Sequence, residues 1–334
     1  MTGSKGFIPL SKAAEVNSAF SPSVPGLQLF WDATSKEKFD TCPRLYFYTI
    51  LQGYQQGSTP VDLTFGIAWH SAIERYHRLS AAGLPHEEAL LWTVAETYFR
   101  QLLSSHEEYL PEDSKPEKTK SVLIRSLVAY LDHIKEDSLQ TIILASGKAA
   151  TELSFSIPIS NTPFFWCGHI DRLASQGQRL DMRNPSESGI PPPIFVTDYK
   201  TTTSALDARY WAQWDLSTQM SGYLLGGKVF LPSCRGLVVD ATKLSVTGQE
   251  FGRYAITKTS AQLDDFFVDL LQGFEIAQAF ARAGRWPRNP TSCIHYGRVC
   301  AFHDVCKCGT DSLKEKFLEA NFTRRFWNPS INRI

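Results

Sequence analysis

This 334-residue chain lacks a net charge, with 34 Lys and Arg against 34 Asp and Glu. The balance excludes a bulk polyelectrolyte binder, so any hold on nucleic acid has to come from local basic patches. No run of 18 or more apolar residues is present, which excludes a membrane-spanning helix. Met1 to Leu27 is rich in Ser and Pro and has no apolar stretch before a small-residue cleavage site, so no signal peptide is expected. A G-x-x-x-x-G-K-S/T loop is missing, and any nucleotide-driven unwinding would need a partner. Paired C-x2-C knuckles, the mark of a zinc ribbon, are missing too. So are internal repeats and long low-complexity tracts. What remains is an ordinary globule, expected in the cytoplasm. Its 43% hydrophobic residues and mean hydropathy of −0.20 suffice for a sizeable core in one large domain, or one domain with an insertion.

Hydrophobic periodicity organises the chain. Residues 1–27 read as a flexible lead-in. Helical spacing predicts helices over Ser35–Gly53, Phe65–Ala82, His86–Leu110 and Lys118–Leu144, the last two joined by the charged loop Pro111–Glu117. The period then changes. Ala150 to Pro158 alternates polar and apolar as a half-buried strand should, and Phe164–Leu173 and Ile194–Lys200 follow as strands. Gln176–Pro193, rich in Gly, Pro and Ser, reads as a loop or hairpin tip. A helix over Ala208–Leu225, strands over Arg235–Ala241 and Gly252–Ile256, and a helix over Leu263–Ala283 complete the expected elements.

The chemistry concentrates at the strand ends. Gly168-His169-Ile170-Asp171 is a G-x-x-D. Phe195 to Lys200 is an apolar strand ending in the D-x-K of Asp198-Tyr199-Lys200. A carboxylate buried at a strand end is costly unless it is paired or binds a cation. Asp171 and Asp198, with a backbone carbonyl such as that of Tyr199, offer the oxygen-rich shell that Mg²⁺ or Mn²⁺ prefers. Lys200 shares a strand face with Asp198, because side chains two apart point the same way. There it can orient an attacking water or stabilise charge on a phosphate. The alternative is a surface Asp/Lys pair. Gln219 and Tyr223, one helical turn apart, point together from the helix after D-x-K; the alternative is a rim Gln and a packing Tyr. His70, in Phe65-Gly-Ile-Ala-Trp-His, is either a helical rim residue or a third metal ligand. Glu74, one turn on, and Glu152, on the strand before G-x-x-D, are second-rank candidates.

An upstream helical His, then G-x-x-D, then (D/E)-x-K, then Q-x-x-x-Y resembles the RecB-like branch of the PD-(D/E)xK nuclease superfamily, over about Cys42 to Cys306. Asp198 stands where Glu is commoner in that branch, and the segment between Asp171 and Asp198 is longer than the motif needs. The resemblance implies an α/β, restriction-endonuclease-like core, a mixed sheet flanked by helices with a helical insertion. It implies one nuclease domain over 28–308, with the helical part at 54–145 and the sheet at 150–260. A basic, aromatic tail would follow at 309–334. His70, Asp171 and Asp198 would hold Mg²⁺ or Mn²⁺, Asp171, Asp198 and Lys200 would be catalytic, and Gln219 and Tyr223 would position the lysine or the DNA. The implied activity is a metal-dependent DNA exonuclease of bacterial or phage recombination or repair, acting on single-stranded or duplex ends with a helicase or recombination partner. The rival is a non-catalytic DNA-binding or scaffold subunit that keeps the fold.

Seven cysteines are present, and four crowd into Cys293, Cys300, Cys306 and Cys308. In a reducing interior, clustered thiols read as metal ligands rather than disulfides. Four thiolates suit Zn²⁺ or an iron–sulfur cluster. One distant cysteine plus a C-terminal trio resembles the [4Fe–4S] staple of AddB-type and CRISPR-associated RecB-like nucleases. That implies Cys42, Cys293, Cys300 and Cys306 as ligands of a C-terminal closure, with Cys308 as substitute for Cys306. Cys167 and Cys234, in apolar surroundings, read as core residues. Residues 281–334 carry ten Lys and Arg against four Asp and Glu. Arg282, Arg285, Arg288 and Arg298, interleaved with Trp286 and Tyr296, and the run Arg324-Arg325-Phe326-Trp327, offer cations for phosphates and rings for unstacked bases. The alternative is solvated arginines with Trp286 and Trp327 as packing anchors.

Overall fold

The computed structural model describes residues 19–57, 60–111, 115–184, 191–295 and 297–330. Parts of three expected segments fall outside the described residues: 1–18 of the lead-in, 112–114 of the charged loop and 185–190 of the hairpin tip. Tyr296 and 331–334 of the tail do so as well. In chain order the elements are β1 (Phe30–Trp31), α1 (Ala33–Thr41), α2 (Pro43–Tyr46) with a π-helical turn over Phe47–Leu51, β2 (Tyr54–Gln56), α3 (Val61–Ala81), α4 (His86–Arg100) and α5 (Lys120–His133). Then come β3 (Leu139–Thr141), β4 (Thr151–Pro158), β5 (Phe165–Gln176), β6 (Ile194–Thr202), α6 (Ala208–Ala212), α7 (Thr218–Phe230), β7 (Cys234–Leu244), β8 (Gln249–Ile256) and α8 (Ser260–Ala283). β9 (Ile294–His295), β10 (Arg298–Val299), α9 (His303–Lys307), α10 (Asp311–Asn321) and β11 (Phe322–Arg324) close the chain.

Two compact units divide these elements. The second takes in the described residues of Thr59–Phe155 and His169–Thr259. Its strands run in the order β3, β5, β6, β7, β8, with β4 also on β5. β5 pairs antiparallel with β3 and β6, β6 runs parallel to β7, and β7 is antiparallel to β8. Alternation sorts β6 between two faces. Tyr199 turns toward α3 and α5, where its ring meets those of His77 and Tyr130. Val196, Asp198 and Lys200 turn toward α7, and two glycines set how near that helix comes. A Cβ on Gly227 would stand 2.5 Å from Val196 Cγ2, and one on Gly226 would stand 2.6 Å from the Phe155 ring. Ser217 caps α7 by accepting the Met220 N–H. On the other side α3, α4 and α5 form a helical layer around buried Phe65, Trp69, Ile73, Leu123, Leu127 and Tyr130. This is a mixed α/β, restriction-endonuclease-like core with helical insertions.

The first unit takes in the described residues of Met1–Ser58, Ser156–Gly168 and Ser260–Asn332. β1 pairs in parallel with the opening residues of β5. Trp31 is fully buried, stacked on Tyr46 and packed against Phe39 and Phe274. Of the lead-in expected to be flexible, residues 19–27 are packed: Phe20 and Leu27 are buried, and Phe20 bridges to Gln28.

Several expected helices are shorter, each for a local reason. Ser35–Gly53 breaks at Cys42, whose backbone is extended (φ −166°, ψ 114°). Pro43 opens the next helix, and the ring of a proline forces the residue before it out of the helical region. His86–Leu110 ends at Arg100. Buried Gln101 then closes the following loop, donating to Glu108 O and accepting the Leu110 N–H at 3.0 Å. Lys118–Leu144 ends at His133, and Leu139–Thr141 within that span forms β3 instead. Ala208–Leu225 splits in two because Ser217 starts a new helix.

Candidate active site

All the side chains proposed for the metal and for catalysis belong to the second unit. α3 carries His70 at the edge of its buried face, beside fully buried Trp69. His70 Nδ1 lies 3.2 Å from Asp171 Oδ2 on β5. The same Oδ2 accepts the Tyr199 backbone N–H at 2.8 Å, which ties β5 to β6 at the site. Glu152, at the start of β4, completes a group. One ligand atom each from His70, Glu152 and Asp171 lies within 4.8 Å of the others, and it is the sole such trio among the described residues. A nitrogen and two carboxylate oxygens suit a divalent cation such as Mn²⁺.

Glu152 reaches this position from a left-handed backbone, φ +50°. Such a conformation in a non-glycine residue costs on the order of 1 kcal/mol or more, and it persists where the surroundings demand it. Sequence reading left Glu152 in the second rank, because a strained φ leaves no mark in residue types. Asp198 does not join the trio. It is 1% exposed, its Oδ2 lies 2.8 Å from Lys200 Nζ, and its Oδ1 accepts from that amine at 3.1 Å. Lys200 also donates to Gln219 Oε1 at 3.3 Å, and Gln219 Nε2 donates to Tyr223 Oη at 3.0 Å. The D-x-K and Q-x-x-x-Y residues therefore form one bonded line, Asp198 to Lys200 to Gln219 to Tyr223. Glu74 pairs with Arg78, one turn along α3.

The electrostatics follow from crowding charges. Burial raises the Asp198 carboxyl above the usual range and Asp171 adds to this, while Lys200 pulls the other way. Burial pushes Asp171 up too, but His70 and Lys200 outweigh it and hold Asp171 low. For His70, burial opposes the imidazolium, yet the Asp171 carboxylate overrides it and raises the ring to about 9. The His70 side chain keeps 30% exposure, so water screens part of that attraction.

This makes a pH prediction. A ring that binds a cation must first lose its proton, and His70 holds that proton up to about pH 9. Mn²⁺ binding at pH 7.5 is expected to release about one proton. The apparent affinity should rise about tenfold per pH unit between 6 and 8, then level off above about 9. Calorimetry in two buffers of different ionisation enthalpy measures the release. An equal heat in both buffers would remove His70 from the ligand set.

Behind the site lies a buried network that sequence reading missed. His77 sits two turns beyond His70. Its Nδ1 faces Arg172 Nη1 and Thr141 Oγ1, both at 3.3 Å, and its Nε2 is 2.8 Å from Tyr199 Oη. A guanidinium only donates, so Nδ1 accepts and Nε2–H donates to the tyrosine. Burial, with Arg172 beside it, pushes His77 well below the usual histidine range, so the ring is neutral. The network locks Tyr199, whose backbone N–H holds Asp171. The second histidine seven residues on was the available signal.

The first unit brings Cys42, Cys293, Cys300 and Cys306 to the lining of one cavity, together with Arg44 and Arg288. Cys308 is outside that lining, and its Sγ faces Asp304 O at 3.3 Å. Burial raises Cys300, and the thiols of Cys42 and Cys293 raise it further. Cys167 and Cys234 are buried. Three expected nucleic-acid contacts are otherwise engaged. Trp286 is 2% exposed, packed among Phe39, Tyr46 and Phe280, so it anchors packing and cannot stack on a base. Arg288 donates to Cys306 O at 3.2 Å. Trp327 donates to Asp32 Oδ2 at 3.0 Å. Arg282, Arg285, Arg298, Arg324 and Arg325 are exposed.

Among solved structures the chain is similar to a provisionally assigned exonuclease from Eubacterium rectale. Identity is 10% and the TM-score 0.44, over 93% of this chain and 99% of that one. It is also similar to SSO0001, at 14% identity and a TM-score of 0.30, over 80% of this chain and 84% of that one. At those scores neither likeness bears on activity. No curated protein matches the sequence. Among the described residues, no helix is long and apolar enough to cross a membrane. Residues 31–307 match the family model described as the PD-(D/E)XK nuclease superfamily. With that match over most of its length, and a His–Glu–Asp trio able to hold a cation beside a lysine, the chain belongs to the PD-(D/E)XK nuclease superfamily.

Proposed function

We propose that this chain is a Mg²⁺- or Mn²⁺-dependent deoxyribonuclease of the RecB-like branch, working as an exonuclease on DNA ends in bacterial or phage recombination or repair. The observation that carries the reading is the His70–Glu152–Asp171 trio beside the bonded line from Asp198 through Lys200 to Gln219. Asp171, His70 and Asp198 would hold the cation, and Glu152 would share that work. When bound, the cation supplies positive charge for the negative charge that develops on the scissile phosphate. Lys200 orients the attacking water and donates toward the phosphate oxygens, with its amine aimed by Asp198 and Gln219. Tyr223 fixes the Gln219 amide, so the lysine is held from two sides before substrate arrives.

A [4Fe–4S] cluster on Cys42, Cys293, Cys300 and Cys306 belongs to the same reading. Four half-buried thiols lining one cavity fit such a group, and their mutual repulsion as thiolates is relieved once metal is bound. The cluster would tie the start of α2 to the C-terminal segment and serve folding rather than chemistry.

The test is cleavage of end-labelled single- and double-stranded DNA with Mn²⁺ and with EDTA. Mn²⁺-dependent loss of the terminal label, abolished by EDTA, supports the reading. DNA binding without cleavage under any divalent cation would favour the scaffold instead.

A further inference from the structure

We propose that the cleft between the C-terminal turns of α3 and the turn before β4 binds the phosphate backbone of the substrate strand, a few nucleotides from the scissile bond. The proposal rests on the nuclease reading above. The cleft has a volume of about 380 Å³. Its cations are Arg78 from α3 and Lys148 from the turn, and no carboxylate lines it. Its walls are small, including Ala81, Gly147 and Ala149, so room is left for a backbone while the two long side chains supply charge. Gly147 takes a left-handed φ of +83°, which lets the turn close from Leu144 to Lys148 and present that lysine.

The cleft reaches the residue next to the metal trio, because Thr151 lines it and Glu152 follows in the chain. Arg78 pairs with Glu74, which stands one turn from His70 on α3. On the other side Arg78 Nε donates to Thr151 Oγ1 at 3.2 Å, and Thr151 is the neighbour of Glu152 in β4. Arg78 lies eight residues beyond His70 on one helix, a run of about 12 Å. At the roughly 3.4 Å rise per nucleotide of a duplex strand that is between three and four nucleotides, and fewer for a stretched single strand. Among the described residues the Lys148 amine has no hydrogen-bond or ion-pair partner, so it is available to a phosphate. Point charges facing a sugar–phosphate chain, with no base-reading group between them, fit sequence-independent binding.

The probe is a fluorescein-labelled twelve-residue oligothymidylate, bound in Ca²⁺ and followed by anisotropy, beside a labelled dinucleotide too short to reach the cleft from the metal. Lys148→Glu is expected to weaken binding of the twelve-mer about tenfold and to lower the slope of log affinity against log salt by about 1. Lys148→Arg should restore both. The dinucleotide should bind equally to all three proteins. Lys148 is exposed on a turn, so these variants are expected to fold as the wild type does. A wild type that cleaves with Mn²⁺, while Lys148→Glu binds the twelve-mer as tightly, overturns the cleft alone. An equal loss on the dinucleotide also overturns it, because the lysine would then act at the metal. A wild type that neither binds nor cleaves overturns the nuclease reading, and the cleft with it.

Discussion

Lys200→Ala is expected to lower Mn²⁺-dependent DNA cleavage by a factor of about 10² to 10³, the loss typical of one donor removed from a site of charge development. The argument lies in what Lys200 touches. Its amine bridges Asp198 and Gln219. Lys200→Arg should not rescue, because a guanidinium is a planar fork and cannot replace a compact amine between two fixed acceptors. The same variant has a stability signature. Asp198 is 1% exposed and already raised by burial, so losing Lys200 raises it further. A carboxyl whose folded pKa lies above its unfolded value favours the fold only while protonated. The variant should match the wild type in melting temperature at low pH and fall behind as pH rises through the raised value. Thermal melts at pH 5 and pH 8, run beside the cleavage assay, separate a chemical role from a merely structural one. A Lys200→Ala protein that cuts at the wild-type rate would sink the mechanism.

Much of this site was legible because its spacing follows simple periods. Asp198 and Lys200 share a strand face by the period of two, and the structure brings that lysine to that carboxylate. Gln219 and Tyr223 share a helix face one turn apart, and they are bonded to each other. The strands were also readable, since β4 alternates and β6 is an apolar run with a polar end. What stayed hidden depends on conformation or on distant packing. Glu152 enters the trio through a φ of +50°, which nothing in Thr-Glu-Leu announces. His77 acts through Tyr199, 122 residues away, and only the folded sheet makes them neighbours. Trp286 looked like a base-stacking ring among arginines. Local sequence could not show that Phe39 and Tyr46, some 240 residues earlier, enclose it. The break at Cys42 was legible in Pro43 and passed over, because the apolar spacing continues across it.

That break matters for the second large effect, the loss of the proposed cysteine-bound cluster. Cys300→Ser is expected to abolish visible absorbance and bound iron in anaerobically purified protein and to lower the melting temperature by roughly 10 °C. The size comes from chain entropy. A link from Cys42 to the 293–306 segment closes a loop of about 250 residues, worth on the order of 5 kcal/mol in a cross-link model. Because Pro43 makes Cys42 extended, its sulfur leaves the helix and accepts the Asn289 N–H at 3.3 Å, which brings it to the C-terminal segment. Cys308→Ser is expected to keep the iron, since Cys308 is outside the cavity that the other four thiols line. Metal analysis decides it: about four irons per chain in the wild type, near zero in Cys42→Ser, Cys300→Ser and Cys306→Ser. One zinc per chain with no iron would instead establish a zinc staple, and iron retained in Cys306→Ser but lost in Cys308→Ser would exchange the roles of those two residues.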